Sequence, residues 1–104
     1  MHIIIDKIRL RGPAHDTAFV QWVQEVDYAA CAHLPSVQRF QVVRADPGAD
    51  CDFFEIVHVS SLAAFEADMQ TPVFQGLVRR FTEMAEVTGS FSGPLLPPGF
   101  ARHG

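Results

Sequence analysis

Two titratable side chains interrupt an apolar run at Phe53-Phe54-Glu55-Ile56-Val57-His58-Val59. An imidazole titrates near neutral pH, so His58 could donate and accept a proton within one turnover. A carboxyl group such as Glu55, once removed from water, has its pKa raised toward values useful for proton transfer. A cyclisation with loss of water needs that pair of steps and needs no metal ion. His58 is therefore the first catalytic candidate and Glu55 the second. The run reads as a strand, and a strand sends alternate side chains to opposite sides of its sheet. Glu55 then shares a face with Phe53, Val57 and Val59, while His58 shares the other with Phe54 and Ile56. In a regular strand only one of the two can enter a given space. If the Phe53 face packs on helices, Glu55 is buried against them, which is costly without a partner. If that face lines a pocket, Glu55 becomes a carboxylate able to pull a proton or hold a ring N–H.

Further candidates for substrate binding are spread over other elements. The Tyr28 hydroxyl could orient a substrate oxygen, and Asp27 could pair with an imidazole or simply end a helix in solvent. Trp22 falls on a helical apolar stripe, where a core anchor explains it as well as a stacking platform does. His2 shares a face with Ile4 and could reach a pocket rim. Phe54 lies on the His58 face. The histidines at 2, 15, 33, 58 and 103 form no HxH or HxxxH pair, and Cys31 and Cys51 form no CxxC. No metal or other cofactor is expected from such spacing. The cysteines suit small buried hydrophobes.

The elements that position these residues follow from pattern. Residues 2–11 read as a strand, ended by Gly12-Pro13. Asp16 or Thr17 caps a helix with Phe19, Trp22, Val23, Val26, Ala29 and Ala30 on one stripe, ending near Leu34 before Pro35. A strand over Val37–Arg44, a polar turn and a strand over 51–60 form an antiparallel hairpin. Ser60 or Ser61 caps a helix that restarts at Thr71-Pro72. A last strand over about 86–92 precedes a Pro- and Gly-rich end. This predicts one domain over 1–93 and a C-terminal tail over 94–104. The order βαββαβ predicts a ferredoxin-like α+β fold: a four-stranded antiparallel sheet with its helices on one face.

Those helices leave the other face bare. Ile3 and Ile5 share one side of the first strand, Ile4, Ile8 and Leu10 the other. Large apolar patches on a sheet face usually mark a partner, and a self-complementary homodimer is the commonest solution. Two sheets face to face would enclose an apolar space for a small flat molecule. The rival cover is the tail, through Leu95, Leu96 and Phe100. With 104 residues, 48% apolar, and a net charge of -4 with eight scattered Lys and Arg, the chain shows no nucleic-acid footprint. It has no 18-residue apolar run and no signal or lipidation pattern, so no membrane partner and a cytoplasmic location are expected.

The element order and the segment from Ser60 to Phe74, with its Phe65-Glu66-Ala67-Asp68-Met69-Gln70-Thr71-Pro72-Val73-Phe74 stretch, resemble the dimeric α+β barrel superfamily. Asp27-Tyr28-Ala29-Ala30-Cys31-Ala32-His33-Leu34-Pro35-Ser36-Val37 and Phe54-Glu55-Ile56 resemble its RedY-like (HapK-like) branch, and the likeness extends to about Pro98. The resemblance implies a homodimer acting on a pyrrole- or indole-type intermediate of prodiginine-like pigment or antibiotic biosynthesis. Three activities fit it: a cofactor-free cyclase or dehydratase, a non-catalytic binder of the intermediate, and a cofactor-independent monooxygenase. Monooxygenase relatives often carry His just before the Thr/Ser-Pro stretch. Asp68 stands in that region here, which argues against oxygen chemistry.

Overall fold

A computed structural model describes residues 1–102; His103, counted above among the histidines, and the last tail residue lie outside the described residues. Strands β1 (His2–Leu10), β2 (Val37–Arg44), β3 (Phe53–Val59) and β4 (Ala85–Pro94) form one antiparallel sheet in the order β2-β3-β1-β4. Helices α3 (Leu62–Met69) and α4 (Pro72–Met84) join β3 to β4. The connection from β1 to β2 is a run of short helical pieces, with α1 at Asp16–Trp22 and α2 at Tyr28–Ala30. The ferredoxin-like expectation is met, with β1 at the centre pairing with both β3 and β4.

Local chemistry sets the helix ends. The Ser61 hydroxyl accepts the Ala64 N–H at 3.0 Å and caps α3. The Thr71 hydroxyl accepts the Phe74 N–H at 3.3 Å, with Pro72 at the first position of α4. Asp68, at the end of α3, is buried and accepts from both the backbone N–H and the hydroxyl of Ser36. It therefore pins the start of β2 to α3.

The first helix departs from the expected single stripe. Between α1 and α2 the chain makes a π-turn over Val23–Asp27, and the Tyr28 N–H donates to the Val23 carbonyl five residues back. In an α-helix, residues five apart lie about 140° apart around the axis. A π-turn brings them onto nearly one side. Trp22 and Asp27 thus both face the sheet, whereas Val26 and Ala29, assigned to the stripe from spacing, turn outward. The slip moves the inward set by one residue to Asp27, Ala30 and Cys31.

The core occupies one end of the sandwich between sheet and helices. Ile8, Phe19, Trp22, Val23, Phe53, Met84 and Ala85 form a buried cluster there. The Phe19 ring sits 4.9 Å from that of Phe53 and 6.1 Å from that of Phe81. β4 runs two residues beyond its expected end, and the Leu95 N–H then donates to the Met1 carbonyl at 3.0 Å. Leu96 and Phe100 stand 85% and 83% exposed, so within the protomer they do not roof the bare sheet face.

Candidate functional site

Along β3 the helix-facing residues read Phe53, Glu55, Val57, Val59. Their neighbours on β1 read Ile8, Asp6, Ile4, His2. Next to the packed Ile8–Phe53 end, the two central strands therefore present two carboxyl side chains, directly opposite one another. The helices cannot pack apolar groups tightly onto that step, and a cavity of about 420 Å³ opens there. Its walls are largely apolar. Trp22, Phe40, Phe65, Phe74 and Phe81 contribute rings, and Met69, Leu77 and Val78 contribute aliphatic surface from α3 and α4. This volume falls within the range of small-molecule sites.

This cavity lies between sheet and helices inside one protomer. The physical reason is the polar step at Asp6 and Glu55, which interrupts core packing on the covered face.

Four carboxyl-bearing residues line the cavity: Asp6 from β1, Asp27 from the π-turn, Glu55 from β3 and Glu86 from β4. Among the described residues none of them pairs with a cation; the ion pairs found are Lys7–Asp50, Arg44–Asp16 and Arg80–Glu83. Arg11 also reaches the cavity, but its Nε donates to the Thr82 carbonyl at 2.6 Å. Loss of water raises the Glu55 carboxyl to about 9, helped by a hydrogen bond with Asp6 and by the charges of Asp6 and Asp27. Glu55 is therefore protonated at neutral pH, which answers the cost of burying it. Burial alone raises Asp27 to about 6, leaving it mostly ionised at pH 7. The Cys31 thiol is pushed up to about 11 by burial and by the charges of Asp27 and Glu55, and it donates to the Asp27 carbonyl.

The other residues singled out from sequence are dispersed. His58 lies on the opposite, bare face of the sheet, paired with Ile3 and Arg39, and its Nδ1 is 3.3 Å from the Met1 sulfur. Phe54 shares that face, opposite Lys7 and Val43. Neither lines the cavity. His2 has the cavity-side parity but sits at the strand end, outside the lining. Tyr28 faces the edge strand β2: its hydroxyl accepts the Val42 N–H at 3.0 Å, and its ring packs edge-on against Phe40. With Cys31 and residues 37–41 it borders a second, more open depression. Trp22 belongs to both core and cavity wall. Asp6 was missed, although the alternation that placed Ile4 and Ile8 on one face also puts Asp6 there.

Comparison with known proteins extends this picture. The REDY-like protein HapK family matches residues 2–95. The crystal structure of HapK from Hahella chejuensis is 47% identical in sequence, with a TM-score of 0.94 over 99% of this chain and 100% of that one. A dimeric protein of unknown function with a ferredoxin-like fold from Bacteroides fragilis is 16% identical, with a TM-score of 0.71 over 90% of this chain and 93% of that one. SnoaB, a cofactor-independent oxygenase from Streptomyces nogalater, is 17% identical, with a TM-score of 0.67 over 94% and 97%. The last two share the fold alone. No curated protein matches. A match along nearly the whole chain, joined to close agreement with the HapK structure, establishes that this chain belongs to the REDY-like HapK family.

Proposed function

We propose that the protein binds a pyrrole- or indole-type biosynthetic intermediate in the cavity and promotes its cyclisation with loss of water, without a bound cofactor. The observation that carries this reading is the placing of Asp6, Asp27 and Glu55 in a largely apolar cavity rich in aromatic rings. Aromatic walls suit a flat heterocycle, and an ionised carboxylate suits a ring N–H. The neighbouring carboxyls Asp27 and Glu55 have pKa values pushed to about 6 and about 9, a separation that assigns base and acid. Asp27 takes a proton from the substrate as the ring-closing bond forms. Glu55 gives its proton to the departing hydroxyl, and water leaves. Proton return from Asp27 to Glu55 restores the starting state, so substrate yields product plus water.

Substitution Glu55→Gln keeps the shape and removes the transferable proton. Retained binding with turnover lost at least 100-fold, about the contribution of one general acid, is the expected result. Unchanged turnover would remove Glu55 from the chemistry. Binding without turnover in the wild-type protein would instead favour a carrier of the intermediate. An oxygenase would lose turnover under nitrogen, whereas a dehydrating cyclase would not.

The active form in this proposal is a homodimer joined through the bare sheet faces. Ile56, Ile5 and Phe91 lie in one row across β3, β1 and β4, with Ile3 and Phe54 beside them. The Bacteroides relative with this fold is described as dimeric.

A further inference from the structure

Asp6 has no role in the reaction just proposed, yet it is the nearest polar neighbour that the sheet gives Glu55. The antiparallel register places Asp6 directly opposite Glu55 on the two central strands, both on the cavity side. Neither side chain can swing to a sheet edge. We propose that Asp6 is a positioning residue that holds the acid proton on Glu55, the two carboxyls sharing one proton between them. The proposal rests on the assignment of Glu55 as the acid.

The surroundings leave few other groups to do this. Across β3, Glu55 faces Val42 of β2, which is apolar. From the helical connection come Asp27 and Cys31, and from β4 comes Glu86. Helices α3 and α4 supply apolar side chains and the hydroxyl-bearing Thr82. Arg11 is the cation on the cavity wall, and its guanidinium bonds the Thr82 carbonyl. Two carboxyls at adjacent positions in a poorly solvated site cannot both ionise cheaply. The stable arrangement is a Glu55 hydroxyl donating to an Asp6 carboxylate. When Glu55 gives its proton to a leaving hydroxyl, two negative charges face each other. That repulsion favours rapid recapture of a proton, which resets the acid.

The test is a carbon-13 titration of glutamate side chains in the intact protein, assigned by Glu55→Gln. Substitution Asp6→Asn keeps the shape and replaces the repelling charge with an amide donor. The Glu55 midpoint should fall by about one pH unit or more, and the alkaline limb of turnover should move down with it. Asp6→Glu should restore much of the wild-type midpoint. A Glu55 midpoint unchanged in Asp6→Asn overturns the proposal. Should Asp6→Asn not fold, Asp6→Ser, which also removes the facing carboxylate, decides the matter, and a Glu55 midpoint unchanged there overturns the proposal. The titration is independent of turnover. Loss of turnover in Glu55→Gln with no effect of Asp6 on the midpoint would leave the acid assignment standing and remove Asp6. The reverse pattern would do the opposite.

Discussion

At the residue scale, a carboxyl held protonated in the fold leaves a signature on stability. Unfolding returns Glu55 to an ordinary pKa near 4.5, while the folded value is about 9. Between those limits the unfolded chain binds fewer protons than the folded one, so stability falls as pH rises. Below about pH 4.5 both states carry the proton and the contribution is intact; it is lost progressively up to about pH 9. The limiting slope is about 1.4 kcal/mol per pH unit for one group. Asp27 adds a loss of the same sign between about pH 4 and pH 6. Urea unfolding at pH 5 and pH 8.5 should show wild-type protein weaker at the higher value, and Glu55→Gln should flatten that difference. An equal pH dependence in both proteins would contradict the buried, protonated state. Cys31 offers an independent check. With its thiol at about 11, alkylation by iodoacetamide at pH 8 should be at least tenfold slower in the folded protein than in urea. Side-chain parity was legible in the sequence, because strand alternation alone put Glu55 and His58 on opposite faces. Which face meets the helices was not, because both carry large apolar groups.

At the element scale, the caps and stops were readable and the π-turn was not. Ser61, Thr71 and Pro72 mark helix starts through local hydrogen-bonding chemistry, which short sequence windows capture. The slip at Val23–Asp27 depends on tertiary packing of Trp22, Asp27 and Cys31 toward the sheet, and no Pro or Gly announces it. A straight α-helical reading therefore put Val26 inside and left Asp27 as a candidate that solvent could equally claim. Asp68 illustrates a second limit. The sequence marked it only as a departure from monooxygenase relatives, but the fold uses it to hold Ser36 at the start of β2. Substitution Asp68→Ala strands the buried Ser36 N–H and hydroxyl, at a cost of about 1–3 kcal/mol per unsatisfied group. Urea midpoints should drop accordingly, while Thr71→Ala, which removes the α4 cap and the hydroxyl's bond to the Asp68 backbone carbonyl, should cost about 1 kcal/mol. Comparable losses from both substitutions would mean that Asp68 acts as an ordinary surface carboxylate.

At the scale of the whole molecule, element order fixed the architecture, and the half-covered sheet followed from a chain with only two helical connections, both on one face. What sequence could not locate was the cavity, since packing density depends on how residues from all four strands and the helices meet. The two faces of the sheet carry separate duties in the proposal: chemistry on the helix side, association on the bare side. They can be tested apart. Phe91 is 59% exposed in the protomer and pairs with Ile5 at the centre of the bare face. Burying such a side chain contributes roughly 1.5–3 kcal/mol, and two-fold symmetry counts each one twice. Several of them together can exceed association costs of about 4–15 kcal/mol. Substitution Phe91→Glu places two carboxylates in that contact without touching the core cluster. Sedimentation should then show wild-type protein at twice the protomer mass and Phe91→Glu at the protomer mass, with unchanged far-ultraviolet dichroism. Because the cavity is built within one protomer, the monomeric variant should still quench Trp22 fluorescence on binding indole. A wild-type protein that sediments as a protomer would detach the bare face from dimerisation. A monomeric variant that no longer binds would show that the partner helps to shape the cavity across the sheet.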